Sequence, residues 1–125
     1  MKPCSPAIGV DIIEIHRIKQ AVLRWQDTFL KRVYSDSELE YCGNRYSSLA
    51  ARFAAKEAVV KTLGANARGL SWREIEILPG ENDAPYVKLT GNTLKQAEKL
   101  GLTEVSISMS HCKEYAVAFS VGHAV

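Results

Sequence analysis

Leu49–Gly64 reads LAARFAAKEAVVKTLG. At roughly 100° per residue, Leu49, Phe53, Val60 and Leu63 form one apolar stripe, and Ala50, Ala51, Ala54 and Ala58 a second, small-residue face that other backbone can approach closely. The pattern predicts a long central helix over Leu49–Leu63. Four charges are set into it: Arg52, Lys56, Glu57 and Lys61. Lys56 falls inside the first stripe, while Glu57 and Lys61, four residues apart, project to one side and put a carboxylate beside an ammonium. A charge buried without a counter-charge or a metal costs several kcal/mol. An ordinary helix salt bridge, worth about 0.3–0.5 kcal/mol, has the same spacing, and the helix alone leaves both readings open.

Outward from this helix, alternation and helical spacing divide the rest of the chain. A strand is expected at Ile8–Ile13, helical patterns at Arg17–Val33 and Ser37–Cys42, and a hairpin from Trp72–Leu78 and Tyr86–Leu89 around the loop Pro79–Asp83. A short helix over Asn92–Leu100 stops at Gly101, and strands Glu104–Ser110 and Tyr115–Val121 each show one covered face. The order β, helices, ββ, α, ββ lacks the regular alternation of a doubly wound fold. The class is α+β: a single compact domain over residues 1–125, mainly antiparallel sheet with a long central helix.

Hydrophobic residues at 46% and charged residues at 24% are globular values. The longest apolar runs fall far short of the ~20 residues needed to span a bilayer, so no membrane association is expected. No secretory h-region follows Met1-Lys2-Pro3-Cys4, and Cys4, Cys42 and Cys112 cannot all pair within the chain, which fits a reducing, cytoplasmic setting. No two cysteines have ligand-pair spacing, and the adjacent His111 and Cys112 would point to opposite faces of a strand, which argues against zinc.

The net charge of +2 is unevenly spread: Arg17–Arg32 holds five basic residues against the single acid Asp27. Its apolar residues Ile15, Ile18, Val22, Trp25 and Phe29 follow helical spacing, while Arg17, Arg24 and Lys31 recur every seven residues on another face. On an unbroken helix that stripe extends ~21 Å, a length suited to an acidic partner helix. A solvated face is the plainer alternative. Nucleic acid fits poorly, because no aromatic residues interleave with the basic ones on that face.

Two further constellations bear on chemistry. Asp11 lies inside the apolar run Ile8-Gly9-Val10-Asp11-Ile12-Ile13, an awkward strand residue. A hard cation such as Mg²⁺ takes one or two carboxylates plus phosphate oxygens and water, and Asp11 suits that role as well as it suits capping a turn. Ser108-Met109-Ser110-His111 ends a strand in hydroxyls and an imidazole, groups that suit a phosphate or a plain exposed turn.

In chain order these pieces resemble the holo-acyl-carrier-protein synthases, the small bacterial type of phosphopantetheinyl transferase. The resemblance runs from Ile8 to about Gly122. It takes in Gly9-Val10-Asp11-Ile12 with Arg17, Ser37-Glu38-Leu39-Glu40, Arg52-Phe53-Ala54-Ala55-Lys56-Glu57-Ala58 with Lys61, Trp72 with Glu74-Ile75-Glu76-Ile77, and Ser110-His111 before Tyr115-Ala116-Val117-Ala118. It implies a Mg²⁺-dependent transferase of fatty acid biosynthesis that moves phosphopantetheine from coenzyme A to a serine of apo acyl carrier protein, releasing adenosine 3′,5′-bisphosphate.

The same resemblance implies residue roles. Asp11 and Glu57 would hold Mg²⁺, and Lys61 would add positive charge on the pyrophosphate. Arg52 and His111 would contact the 3′-phosphate end of coenzyme A, Ser110 would also bind coenzyme A, and Lys56 would lie near the nucleotide or an acidic neighbour. The serine proton would pass to a metal-activated water or to Glu38 or Glu40. Arg17 and Arg24, with Lys31 from spacing alone, would receive the carrier protein, and a homotrimer would share each site between chains, the His111 region coming from a neighbour. Ser35, Asn66 and Ser106 depart from residues frequent at those places. A non-catalytic binding module of the same fold, or a different Mg²⁺-dependent pyrophosphate enzyme, are the alternatives in other classes.

Overall fold

The central helix, α4 (Tyr46–Thr62), is buried on nearly every side, and small residues make this possible. Ala51, Ala54, Ala55 and Ala58 have no more than a methyl group to keep a neighbour away, and all four are buried. The computed structural model describes residues 7–64 and 69–124, so the readings of Cys4 and Asn66 lie outside the described residues.

Three antiparallel strands lie against α4 in the order β1 (Ala7–Glu14), β5 (Tyr115–Ala124) and β4 (Leu102–His111). The register sets Gly9 opposite Ser120 and Asp11 opposite Ala118. Alternation along the strands turns Gly9, Asp11, Ala116, Ala118 and Ser120 toward the helix, a small-residue face meeting the alanines of α4. The opposite face of the sheet is open and carries Ile8, Val10, Ile12 and Phe119. A separate antiparallel hairpin, β2 (Ile75–Pro79) with β3 (Pro85–Leu89), buries Ile75 and Ile77 beside Val59 and Leu63. The last helix, α5 (Gly91–Lys99), packs near β4 and adds Ala97 to that core.

The α+β class and the element order agree with the expectation, with two differences. The Arg17–Val33 segment is not one helix: α1 (Ile15–Trp25) and α2 (Asp27–Val33) meet at Gln26, whose φ of 48° interrupts helical geometry. Asp27 then favours a new helix start through the positive end of its dipole. The basic stripe therefore does not extend in line to Lys31, and Trp25, grouped above with the apolar face, is 54% exposed with the Arg24 guanidinium over its ring. The second difference is at Trp72–Glu74, which forms a 3₁₀ turn before β2 begins at Ile75. There the Trp72 ring stacks on Phe53 of α4, 5.2 Å between centroids.

A strictly local feature sets the start of α3 (Asp36–Cys42). Ser35 Oγ accepts the Glu38 N–H at 3.2 Å while the Glu38 carboxylate accepts the Ser35 N–H at 2.9 Å, a reciprocal capping box. The serine at this place thus supplies the capping hydroxyl that its position requires.

Candidate active site

Asp11 and Glu57 come from different elements to one place. Asp11 is on the inward face of β1, at the edge of the sheet, and Glu57 of α4 is near enough for the Asp11 charge to act on its carboxyl. Lys61, one turn further along α4, donates to Asp11 Oδ1 at 3.3 Å and to the Val10 carbonyl at 2.9 Å. The ammonium's ion pair is therefore with the strand, and the i, i+4 salt bridge with Glu57 is not formed. Burial and then the Asp11 charge push the Glu57 carboxyl above its ordinary pKa, with Lys61 pulling the other way. Two like charges held together in this manner, with one ammonium between two elements, fit a divalent cation. No third His, Cys, Asp or Glu joins them among the described residues, which leaves remaining positions to phosphate oxygens and water, the preference of Mg²⁺.

A second cluster lies on another side of α4. Arg52, Ser110 and His111 line one cleft of about 310 Å³, with Tyr41 and Arg45 on its wall. Arg52 is 6% exposed, its Nε has no hydrogen-bond partner among the described residues, and its guanidinium lies over the Tyr41 ring at 4.5 Å. Arg45 approaches the same ring at 5.2 Å. Neither guanidinium is paired with a carboxylate among the described residues; Asp83 also lines the cleft, so two arginines against one acid leave an excess of positive charge that an anion would neutralise. Arg45 was missed in the sequence reading; its signal is the i, i+7 spacing to Arg52, two turns earlier on the same helix side.

Lys56 belongs to neither cluster. Its side chain is wholly buried, and Nζ donates to Glu38 Oε1 at 2.7 Å, to the Trp72 carbonyl at 2.9 Å and to the Ile75 carbonyl. All three donors are occupied, so the expectation that grouped Lys56 with coenzyme A is corrected; an acidic neighbour, its other reading, is what the fold supplies. Glu38 shares that network: its carboxylate accepts from Ser35, Lys56 and the Ile77 N–H at 3.0 Å and has no exposed surface, which weighs against it among the candidates for the serine proton.

Arg17 and Arg24 lie on α1, where Arg17 makes an exposed 3.4 Å contact with Glu14. Ser106 on β4 meets His123 Nε2 at 2.8 Å, so an imidazole reaches that place from the neighbouring strand. Among the described residues no helix is long and apolar enough to cross a membrane.

A model of the 4′-phosphopantetheinyl transferase superfamily matches residues 7–120. The chain is 50% identical over 113 residues to the holo-acyl-carrier-protein synthase of Dehalococcoides mccartyi, covering 90% of this chain and 94% of that protein. The corresponding protein of Halothermothrix orenii is 40% identical, with 92% and 94% covered. In three dimensions the chain is similar to Helicobacter pylori holo-acyl-carrier-protein synthase in complex with coenzyme A, with a TM-score of 0.83, 35% identity, and 93% and 99% of the two chains covered. Agreement of this extent in sequence and in fold shows that the chain belongs to the holo-acyl-carrier-protein synthase family of the 4′-phosphopantetheinyl transferase superfamily.

Proposed function

We propose that Asp11 and Glu57 hold the Mg²⁺ ion of this chain's reaction and that Lys61 is the fixed cation beside it. The reaction is the family's: 4′-phosphopantetheine passes from coenzyme A to a serine of apo acyl carrier protein, and adenosine 3′,5′-bisphosphate leaves. The observation that carries the site assignment is the meeting of an edge-strand carboxylate and a helix carboxylate beside the Lys61 ammonium, where burial first and the Asp11 charge second raise the proton affinity of Glu57. When bound, the ion supplies positive charge to pyrophosphate oxygens. Lys61 adds a charge-assisted donor on the same side, preorganised by its bonds to β1. Arg52, with Arg45, Ser110 and His111, grips the 3′-phosphate and so orients the pyrophosphate for in-line attack. A smaller cleft of about 210 Å³ beside Glu57, walled by Val60, Leu70 and Trp72, offers apolar room for the pantetheine arm.

The site is shared between copies in a homotrimer. Glu57 follows Arg52 by five positions on α4, so the two side chains leave the helix about 140° apart and one chain's two clusters do not face each other. The open sheet face, with Ile8 52%, Val10 52%, Ile12 63% and Phe119 44% exposed, supports burial against other copies. Arg52 and His111 line the same cleft in one chain, so the phosphate grip would come whole from a neighbour. Arg17 and Arg24 are the contacts for the acidic carrier protein. Two free thiols, Cys42 and Cys112, fit a cytoplasmic setting.

Asp11→Asn tests the assignment, since it removes a charge and keeps the shape. Turnover should fall by at least about 100-fold while coenzyme A still binds and the circular dichroism spectrum is unchanged. Turnover at the wild-type rate would refute it.

A further inference from the structure

The geometry points to Gly9 as a positioning residue for the Asp11–Glu57 pair, one whose missing side chain sets how near β1 stands to α4. This inference rests on the reading of those two carboxylates as cation ligands. Gly9 precedes Asp11 by two residues, so both turn to the same face of β1. Opposite it on the helix is Ala58, the residue next to Glu57. A Cβ at Gly9 would stand 2.9 Å from Thr62 Oγ1 and 3.0 Å from the Ala58 carbonyl carbon, and nearer still to the carbonyl oxygen. The obstacle is helix backbone, which cannot rotate aside as a side-chain tip can.

The contact is also fastened. Ser120 Oγ stands 3.0 Å and Thr62 Oγ1 3.1 Å from the Ala58 carbonyl oxygen, and the two hydroxyls also touch each other, so their two protons are shared within a cluster that the carbonyl anchors. Ser120 is Gly9's partner across the β1–β5 ladder. One helix carbonyl thus ties the strand pair to α4 immediately beside Glu57, while Gly9 lets the strand come close enough for the tie to form. A side chain at position 9 would push β1 away from α4 by an amount on the order of 1 Å, a misplacement large enough to matter in a site of fixed geometry.

The test is Mn²⁺ binding in the presence of coenzyme A, followed by electron paramagnetic resonance, for the wild type, Asp11→Asn, Gly9→Ala and Ser120→Ala. Gly9→Ala should bind Mn²⁺ about 10- to 100-fold more weakly while keeping cooperative unfolding and unchanged coenzyme A affinity without metal. If that variant does not fold, Ser120→Ala, which removes one hydroxyl only, carries the test with an expected weakening of about 2- to 5-fold. Stability loss with wild-type Mn²⁺ affinity in the folded variant would overturn the positioning role. A wild type that binds no Mn²⁺, or binds it no better than Asp11→Asn, would instead refute the metal assignment itself.

Discussion

Lys56 Nζ stands 2.7 Å from Glu38 Oε1, and neither side chain reaches solvent. This pair joins α3 to α4, and the Glu38 carboxylate continues to the Ile77 N–H of β2. Burial lowers the Lys56 pKa and the Glu38 charge partly restores it. Lys56→Met leaves Glu38 buried without its cation, and should cost about 3–5 kcal/mol of stability in denaturant titration. The folded fraction should keep its KM for coenzyme A. A large rise in that KM with stability intact would return Lys56 to the cofactor site.

Glu57 gives the metal-free protein a pH dependence of known sign. Its folded pKa is raised above the ordinary 4.5, by burial first and by Asp11 second. The folded state therefore holds this proton more readily than the unfolded state does. Its penalty is absent below the unfolded pKa and is imposed as pH rises through the folded value, so stability falls across that window. Glu57→Gln should melt higher than the wild type at neutral pH without metal, lose that advantage near pH 4, and have little transferase activity. A variant that melts lower at neutral pH would contradict this.

The carrier protein should meet charge on α1. Arg24→Glu is expected to raise KM for apo acyl carrier protein by about tenfold or more, with KM for coenzyme A unchanged, because like charges would face each other at the interface. The wild-type KM for the carrier should climb with salt, and the variant's should do so less. A variant indifferent to the carrier would place docking elsewhere.

Sharing of the site between copies has a genetic signature. Asp11→Asn and Arg52→Met should each be inactive alone, yet co-expressed chains should recover about one quarter of wild-type activity, since random trimers pair an intact metal cluster with an intact phosphate cleft at that frequency. No recovery in hybrid trimers would show that both clusters act within one chain.

Much of this was legible in the sequence because the signals are local. An acid amid Ile8–Ile13 and a carboxylate and lysine at helical spacing in Leu49–Leu63 announce themselves through misfit with their apolar surroundings. Ser35 and Glu38 have the spacing of a capping box. Other features depend on tertiary contact. Nothing in Arg17–Val33 marks Gln26 as the break, since its φ of 48° is a conformation that glycine favours, no glycine stands there to announce it, and its neighbours keep helical periodicity on both sides. Glu38 and Lys56 look like site residues in sequence because buried charge looks functional; only the fold shows that each satisfies the other. Arg45 gains meaning from sharing the Tyr41 ring with Arg52, a contact visible only in three dimensions.

The central claim is a metal-dependent transfer to the carrier serine, and the intact mass of apo acyl carrier protein reads it directly. After incubation with this protein, coenzyme A and Mg²⁺, the carrier should gain the mass of one phosphopantetheine, and a parallel sample with chelator should gain nothing. An equal gain with chelator would contradict the metal, and no gain with any of several carriers would contradict the transfer.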